Sequence, residues 1–253
     1  MRYIIIALIA AFVIAFFLGG FFNSRTVVVF DESTPLILRH YEPYTGFLEN
    51  TNTSTAAIKV PAVDNEGNGV TTVLFVQIVP GFGKALVNID KLIFWGDTQN
   101  SIRTARSVAE EITGANLSEY DLVYTVTANA SVIEGPSAGA ALTIATIGAI
   151  KNKRANESVM ITGTIKNDGK IGQVGEVLTK AKAAKDVGAE LFLVPPKQSY
   201  EVKYETKREC KSIGLTEVCD IITVPTKVYI EDEVDIAVRE VNSIEEAMGY
   251  FFA

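Results

Sequence analysis

An α+β fold is predicted for this chain, and three observations carry that prediction. Short segments rich in β-branched residues are interleaved with segments whose apolar residues recur at helical spacing. The connections include tight Gly-containing turns, which make hairpins, as well as helical crossovers, so the sheets should be mixed. At 253 residues and 48% hydrophobic content, the chain can bury a sizeable core in one large domain with appendages. It shows no internal repeat.

The elements follow in order. Residues 3–22, "YIIIALIAAFVIAFFLGGFF", contain no charge. As a helix they would span about 30 Å, the thickness of a bilayer core. A cleaved signal peptide would have a shorter apolar run and a small-residue cleavage site. A retained transmembrane anchor over 1–22 is therefore expected. Arg2 precedes it while Arg25 and Arg39 follow, so charge balance barely orients it. A single N-terminal anchor commonly leaves the body outside, which makes the rest of the chain extracytoplasmic. Residues 23–55 read as a connector, with "TVVVF" and "PLILRHY" as short strands and "ENTNTSTA" as a polar stalk.

The regular domain runs from 56 to 253. "AAIKVPAV" and "VTTVLFVQIV" read as strands around the turn "DNEGNG", and "PGFGKALVNI" as a turn and strand. "TQNSIRTARSVAEEI" has apolar residues at 102, 105, 108, 109 and 112 and reads as a helix. "YDLVYTVTA" is a strand, and "GPSAGAALTIATIGAI" a helix apolar on every side, hence buried. "SVMITGTI" reads as one strand, "KNDGK" as a hairpin turn, and "VGEVLTKAKAAKDVGA" as a helix closed by Gly188. "ELFLVPP" and "VDIAVREV" are strands, and "EDEVD" a solvated turn. Ser243 and Glu246 form a capping box for a last helix. Residues 198–232 form a β-rich excursion. Its Cys210 and Cys219 suit either a disulfide closing a hairpin or two buried thiols.

Composition removes several functions. The net charge is −7 with no basic stripe, which argues against nucleic acid as a partner. His40 is the one histidine; it lies far from any glycine-rich loop and reads as a surface or packed residue. There is no HExxH and no CxxC, so no metal and no cofactor is expected.

Ser137, in "EGPSAG", then offers two readings. Pro136 fits the first turn of a helix, so Ser137 lies where unpaired N–H groups favour negative charge. It is either a cap on a buried helix or a nucleophile. A nucleophile needs a base, and with His40 a poor candidate a lysine neutralised by burial would have to serve. On the helix after 175, Lys180 lies beside the apolar stripe, Lys185 falls within its broad arc, and Lys182 points further toward water. The helical wheel does not choose among them.

"EGPSAG" (134–139) followed by "MITGTIKNDGKIGQVGEVLTKAKAAKDVGAELFLVP" (160–195) resembles the proteolytic domain of Lon-type proteases, archaeal members included. The similarity spans about residues 56–253 apart from the excursion. The resemblance implies that Ser137 is the nucleophile and Lys180, 43 residues on, its general base. It matches Thr162 and Gly163 to the family's TG pair, and Gly169 and Gly175 to its later glycines. It implies that Thr162 orients the lysine, and that Gly135 and Pro136 form the turn presenting the serine, with N–H groups around Gly135–Ser137 as the oxyanion site. Glu134 stands where many bacterial members carry Asp; as a carboxylate three residues before the serine it can pair with Lys180 at rest. The family implies peptide or unfolded-protein substrates and a six-membered ring, with the "IFW" triplet at 93–95 as one candidate contact. No GxxxxGK[ST] loop occurs in these 253 residues, so ATP-independent cleavage by a membrane-bound serine endopeptidase is expected. The rival readings are a small-molecule kinase of related topology and a protease-like binding module without turnover.

Overall fold

The structure is a computed structural model that describes residues 53–88, 96–127, 135–213 and 216–252. The expected anchor, the connector up to residue 52, His40, Glu134 and the triplet 93–95 lie outside the described residues. Among the described residues, no helix is long and apolar enough to cross a membrane.

Period-two patterning builds the first sheet. Strand β1 (Ser54–Val63) turns inward Ala56, Ile58, Val60 and Ala62; β2 (Gly69–Pro80) turns inward Leu74, Val76 and Ile78. The two pair antiparallel, Ser54 opposite Ile78 and Val63 opposite Gly69. Their turn is held by the Asp64 carboxylate, which accepts from the backbone N–H groups of Glu66 and Asn68. Strand β3 (Ala85–Asn88) and β4 (Tyr120–Thr127) run parallel, and helix α1 (Gly96–Thr113) lies between them in sequence. The sheet order is β1-β2-β4-β3. On α1, Ile102, Ala105, Val108 and Ala109 are buried, which is the stripe their spacing predicts.

Helix α2 (Gly139–Ile150) is buried from Gly139 to Ala149 and packs against α1 and the first sheet. Its polar residues are satisfied locally: Thr143 and Thr146 donate to carbonyls one turn back, and the Thr146 hydroxyl meets the buried Tyr124 hydroxyl at 3.0 Å.

The expected strand over 158–165 is two strands. β5 (Val159–Ile161) and β6 (Thr164–Ile165) belong to different sheets, and Thr162–Gly163 carries the chain from one to the other. β6 pairs with β7 (Ile171–Gly172) around the expected "KNDGK" turn. Helix α3 (Val177–Asp186) begins later than its pattern suggests, because Glu176 is left-handed (φ 56°) and cannot continue a right-handed turn. Strand β8 (Leu191–Val194) is the centre of a parallel sheet, flanked by β5 and by β11, introduced below.

The excursion is a hairpin of two 14-residue strands, β9 (Tyr200–Ile213) and β10 (Thr216–Tyr229). Cys210 and Cys219 are paired directly across it and disulfide-bonded, which decides between the two cysteine readings. "EDEVD" is not a turn: residues 230–234 wind a short helix, α4 (Ile230–Val234), anchored by the buried Ile230. For that reason β11 (Ala237–Glu240) starts later than "VDIAVREV" suggests. Helix α5 (Ile244–Phe251) has its capping box in a shifted form: Ser243 Oγ accepts from Glu246 N–H, and Glu246 returns a bond to the N–H of Asn242.

Candidate active site

Ser137 sits in a single tight turn, Pro136–Ala138, that leads into α2. Gly135 before it has φ 91° and ψ 161°, a conformation open chiefly to glycine, and Pro136 fixes the next φ. The turn is tied to the Thr162–Gly163 crossing in both directions. Gly163 N–H donates to the Ser137 carbonyl at 2.9 Å, and Ala140 N–H donates to the Gly163 carbonyl at 2.9 Å. Gly139 permits this approach: a Cβ there would lie 2.7 Å from the backbone nitrogen of Ile165. The small residues of the "GPSAG" stretch thus let the serine turn lie directly on β6.

Lys180 comes from the end of the first turn of α3. It is 6% exposed, whereas Lys182 is exposed and the Lys185 side chain, 44% exposed, pairs with Asp235. The tertiary structure therefore separates three lysines that the helical wheel left open. Lys180 Nζ donates to the Gly175 carbonyl at 3.1 Å. Burial disfavours its charged form and pulls its pKa below the ordinary 10.5; the Glu176 carboxylate opposes that shift.

Ser137 and Lys180 line one cavity of about 390 Å³, within the range of ligand pockets. Gly135 and Pro136 share the wall, so four of the six residues singled out from the sequence meet here. Glu134 lies outside the described residues. Thr162, 1% exposed, is buried behind the wall, and its hydroxyl donates to the Ser137 carbonyl at 3.5 Å rather than meeting Lys180, whose amine bonds to Gly175, so the expected Thr162–Lys180 contact is not the one formed. The rest of the wall is Ala62, Val63, Thr164, Gln173, Val174, Gly175 and Glu176. Sequence reasoning missed Glu176, although its position four residues before Lys180, in a segment whose pattern reads as a helix, was a usable signal. It also missed Gln198, whose side-chain amide exchanges two hydrogen bonds with the Val174 backbone, at 2.9 and 2.6 Å. That contact joins distant segments and leaves no local pattern.

A serine on a turn stapled to a strand, sharing a cavity with a buried lysine, defines a class of site: a hydroxyl with a basic amine and no imidazole among the described lining. The chain matches the Lon protease (S16) C-terminal proteolytic domain over residues 96–230, and it belongs to that family. Its relatives include the archaeal Lon protease of Thermoplasma volcanium, 29% identical over 131 residues, which is 51% of this chain and 20% of that protein. The Lon protease of Fervidobacterium nodosum is 29% identical over 191 residues, 72% of this chain and 22% of that protein. The Lon protease of Desulfovibrio desulfuricans is 32% identical over 117 residues, 46% of this chain and 13% of that protein. The matched region thus spans 13–22% of the length of these curated relatives.

Proposed function

We propose that this chain is a serine-type endopeptidase in which Ser137 and Lys180 form the catalytic dyad. The observation that carries the reading is the convergence of these two residues, 43 apart in sequence, on one cavity where burial favours the neutral amine. A neutral Lys180 can donate one N–H to the Gly175 carbonyl and keep its lone pair for the Ser137 proton. Ser137 Oγ then attacks the scissile carbonyl as Lys180 takes that proton. The protonated lysine returns it to the leaving amine, and water, deprotonated in turn by Lys180, releases the acyl group. Backbone N–H groups of the Gly135–Ser137 turn are the proposed oxyanion donors. Thr162 supports the dyad through its contact with the serine turn, and Glu134 is proposed to hold Lys180 charged at rest.

The proposed substrates are peptides or unfolded chains, cut without ATP. The chain is a single-pass membrane protein anchored by residues 3–22, its protease domain extracytoplasmic, and it assembles as a homohexameric ring. The test is cleavage of casein and fluorogenic peptides by the full chain in detergent. Activity without ATP is expected, with Ser137→Ala and Lys180→Ala each lowering it by roughly a thousandfold or more. Undiminished activity in the Ser137→Ala protein overturns the assignment. Protease protection in sealed vesicles and the native mass of the purified protein test the topology and the ring.

A further inference from the structure

Among the described residues, two ionisable side chains line the cavity, Lys180 and Glu176. They are placed very differently. Lys180 is buried and its amine is bonded to the Gly175 carbonyl. Glu176 is exposed at the rim, on a left-handed backbone (φ 56°, ψ 39°) that a glycine would adopt more readily. Its carboxylate has a long contact with the Thr179 hydroxyl, 3.4 Å, and among the described residues no cation lies within ion-pair distance of it. The remaining wall is neutral: Ala62, Val63, Pro136, Thr164, Gln173 and Val174. Among the described residues, an entering peptide therefore meets one accessible formal charge, and it is negative.

We infer that Glu176 is a specificity-determining residue, selecting substrates that carry a Lys or Arg side chain close to the scissile bond. The inference rests on the protease reading of the same cavity. A cation beside Glu176 satisfies a carboxylate whose one hydrogen-bond contact among the described residues is the long one from Thr179, while an acidic side chain there is repelled. The pairing has a second effect on the chemistry. Glu176 favours the charged form of Lys180, so a substrate cation that neutralises Glu176 relieves the base of that field. A cationic substrate then gains in kcat as well as in KM.

The experiment uses the full chain in detergent and three quenched-fluorescence peptides that differ at one residue beside the cleavage site: Lys, its neutral isostere norleucine, or Glu. The wild-type protein is expected to favour Lys over norleucine by about five- to tenfold in kcat/KM, and less at high salt. In Glu176→Gln the Lys-to-norleucine ratio falls to near one, and in Glu176→Lys the preference turns toward the Glu peptide. A Gln variant that keeps the cationic preference overturns the proposal, as does a wild type with none. Binding of the same peptides to the Ser137→Ala protein, read by anisotropy, separates the two levels. Glu176-dependent binding of the Lys peptide without any turnover in the wild type would sink the protease reading and leave the pocket selectivity standing. Charge-blind binding alongside normal turnover would do the reverse.

Discussion

Helix α2 and the β9–β10 ribbon meet water in opposite ways. α2 buries every residue from Gly139 to Ala149 and owes its place to packing on all sides. The ribbon leaves most of its residues exposed, Tyr204 at 72% and Ile221 at 75% among them. It is held by a ladder of 14 residue pairs and one covalent link, Cys210–Cys219. A two-stranded hairpin alone is marginal in water, which is why the staple matters in one region and would add nothing in the other. The candidate nucleophile sits where density fixes position. The ribbon reaches the site only through its root, where Gln198 clamps Val174 and the Glu201 carboxylate accepts from Leu178 N–H at the start of α3.

Beyond the dyad itself, the largest expected effect comes from disturbing the dense side of that comparison. Gly139→Ala places a methyl 2.7 Å from both the backbone nitrogen and the Cγ2 of Ile165, and the backbone atom cannot turn aside as a side chain can. It should destabilise the protein by about 1–3 kcal/mol and displace the serine turn. Peptide turnover is expected to fall by roughly a hundredfold, checked against the urea midpoint of the same variant. Turnover and midpoint both at wild-type values would show that the contact with β6 does not position Ser137.

Next in size is the joint between the two regions. Gln198→Ala removes both bonds to the Val174 backbone, next to the Gly175 carbonyl that holds Lys180. Turnover should drop about tenfold with the thermal midpoint nearly unchanged, because the wall of the cavity loosens while the core stays intact. Gln198→Glu, which keeps the acceptor for Val174 N–H, should recover part of the loss.

The order of these two effects also says what the sequence could reveal. The buried helix, the hairpins and the disulfide alternative were legible because they rest on local periodicity and turn chemistry. The break at Thr162–Gly163 was not: "SVMITGTI" has uniform strand character, and only the tie from Gly163 to Ser137 redirects the chain. The late start of α3 was hidden for a similar reason, since an ordinary glutamate occupies a left-handed position. For the site, the wheel narrowed the base to three lysines and the family resemblance chose one. Only burial explains physically why Lys180 differs from Lys185.

A smaller effect lies in pH. Lys180 acts as a base when neutral, so activity should rise as pH climbs through its lowered pKa, below the 10.5 of a free lysine. Glu176→Gln removes the carboxylate that favours the charged form, and the rising limb should move to lower pH. Stability follows the same proton. Between the folded pKa and the ordinary one the unfolded chain binds more protons, so stability contributed at this residue rises with pH across that window. Lys180→Met should flatten that part of the stability curve; an unaltered slope would mean that the lysine is not the group being titrated.

The smallest effect on turnover should come from cutting the staple. In Cys210→Ser/Cys219→Ser the ribbon loses its covalent link but keeps its root bonds to Val174, Leu178 and, through Ser199, Glu240. Peptide cleavage should stay within about twofold of wild type, because the cavity wall lies in the packed region. The ribbon itself should respond strongly. Limited proteolysis by trypsin should find Lys203, Lys207, Arg208 and Lys211, all exposed, and cut between 200 and 229 far faster than in the oxidised protein. If turnover instead falls as far as in Gln198→Ala, the ribbon's rigidity is transmitted to the site through its root. The two regions would then be one mechanical unit rather than a packed core carrying a stapled arm.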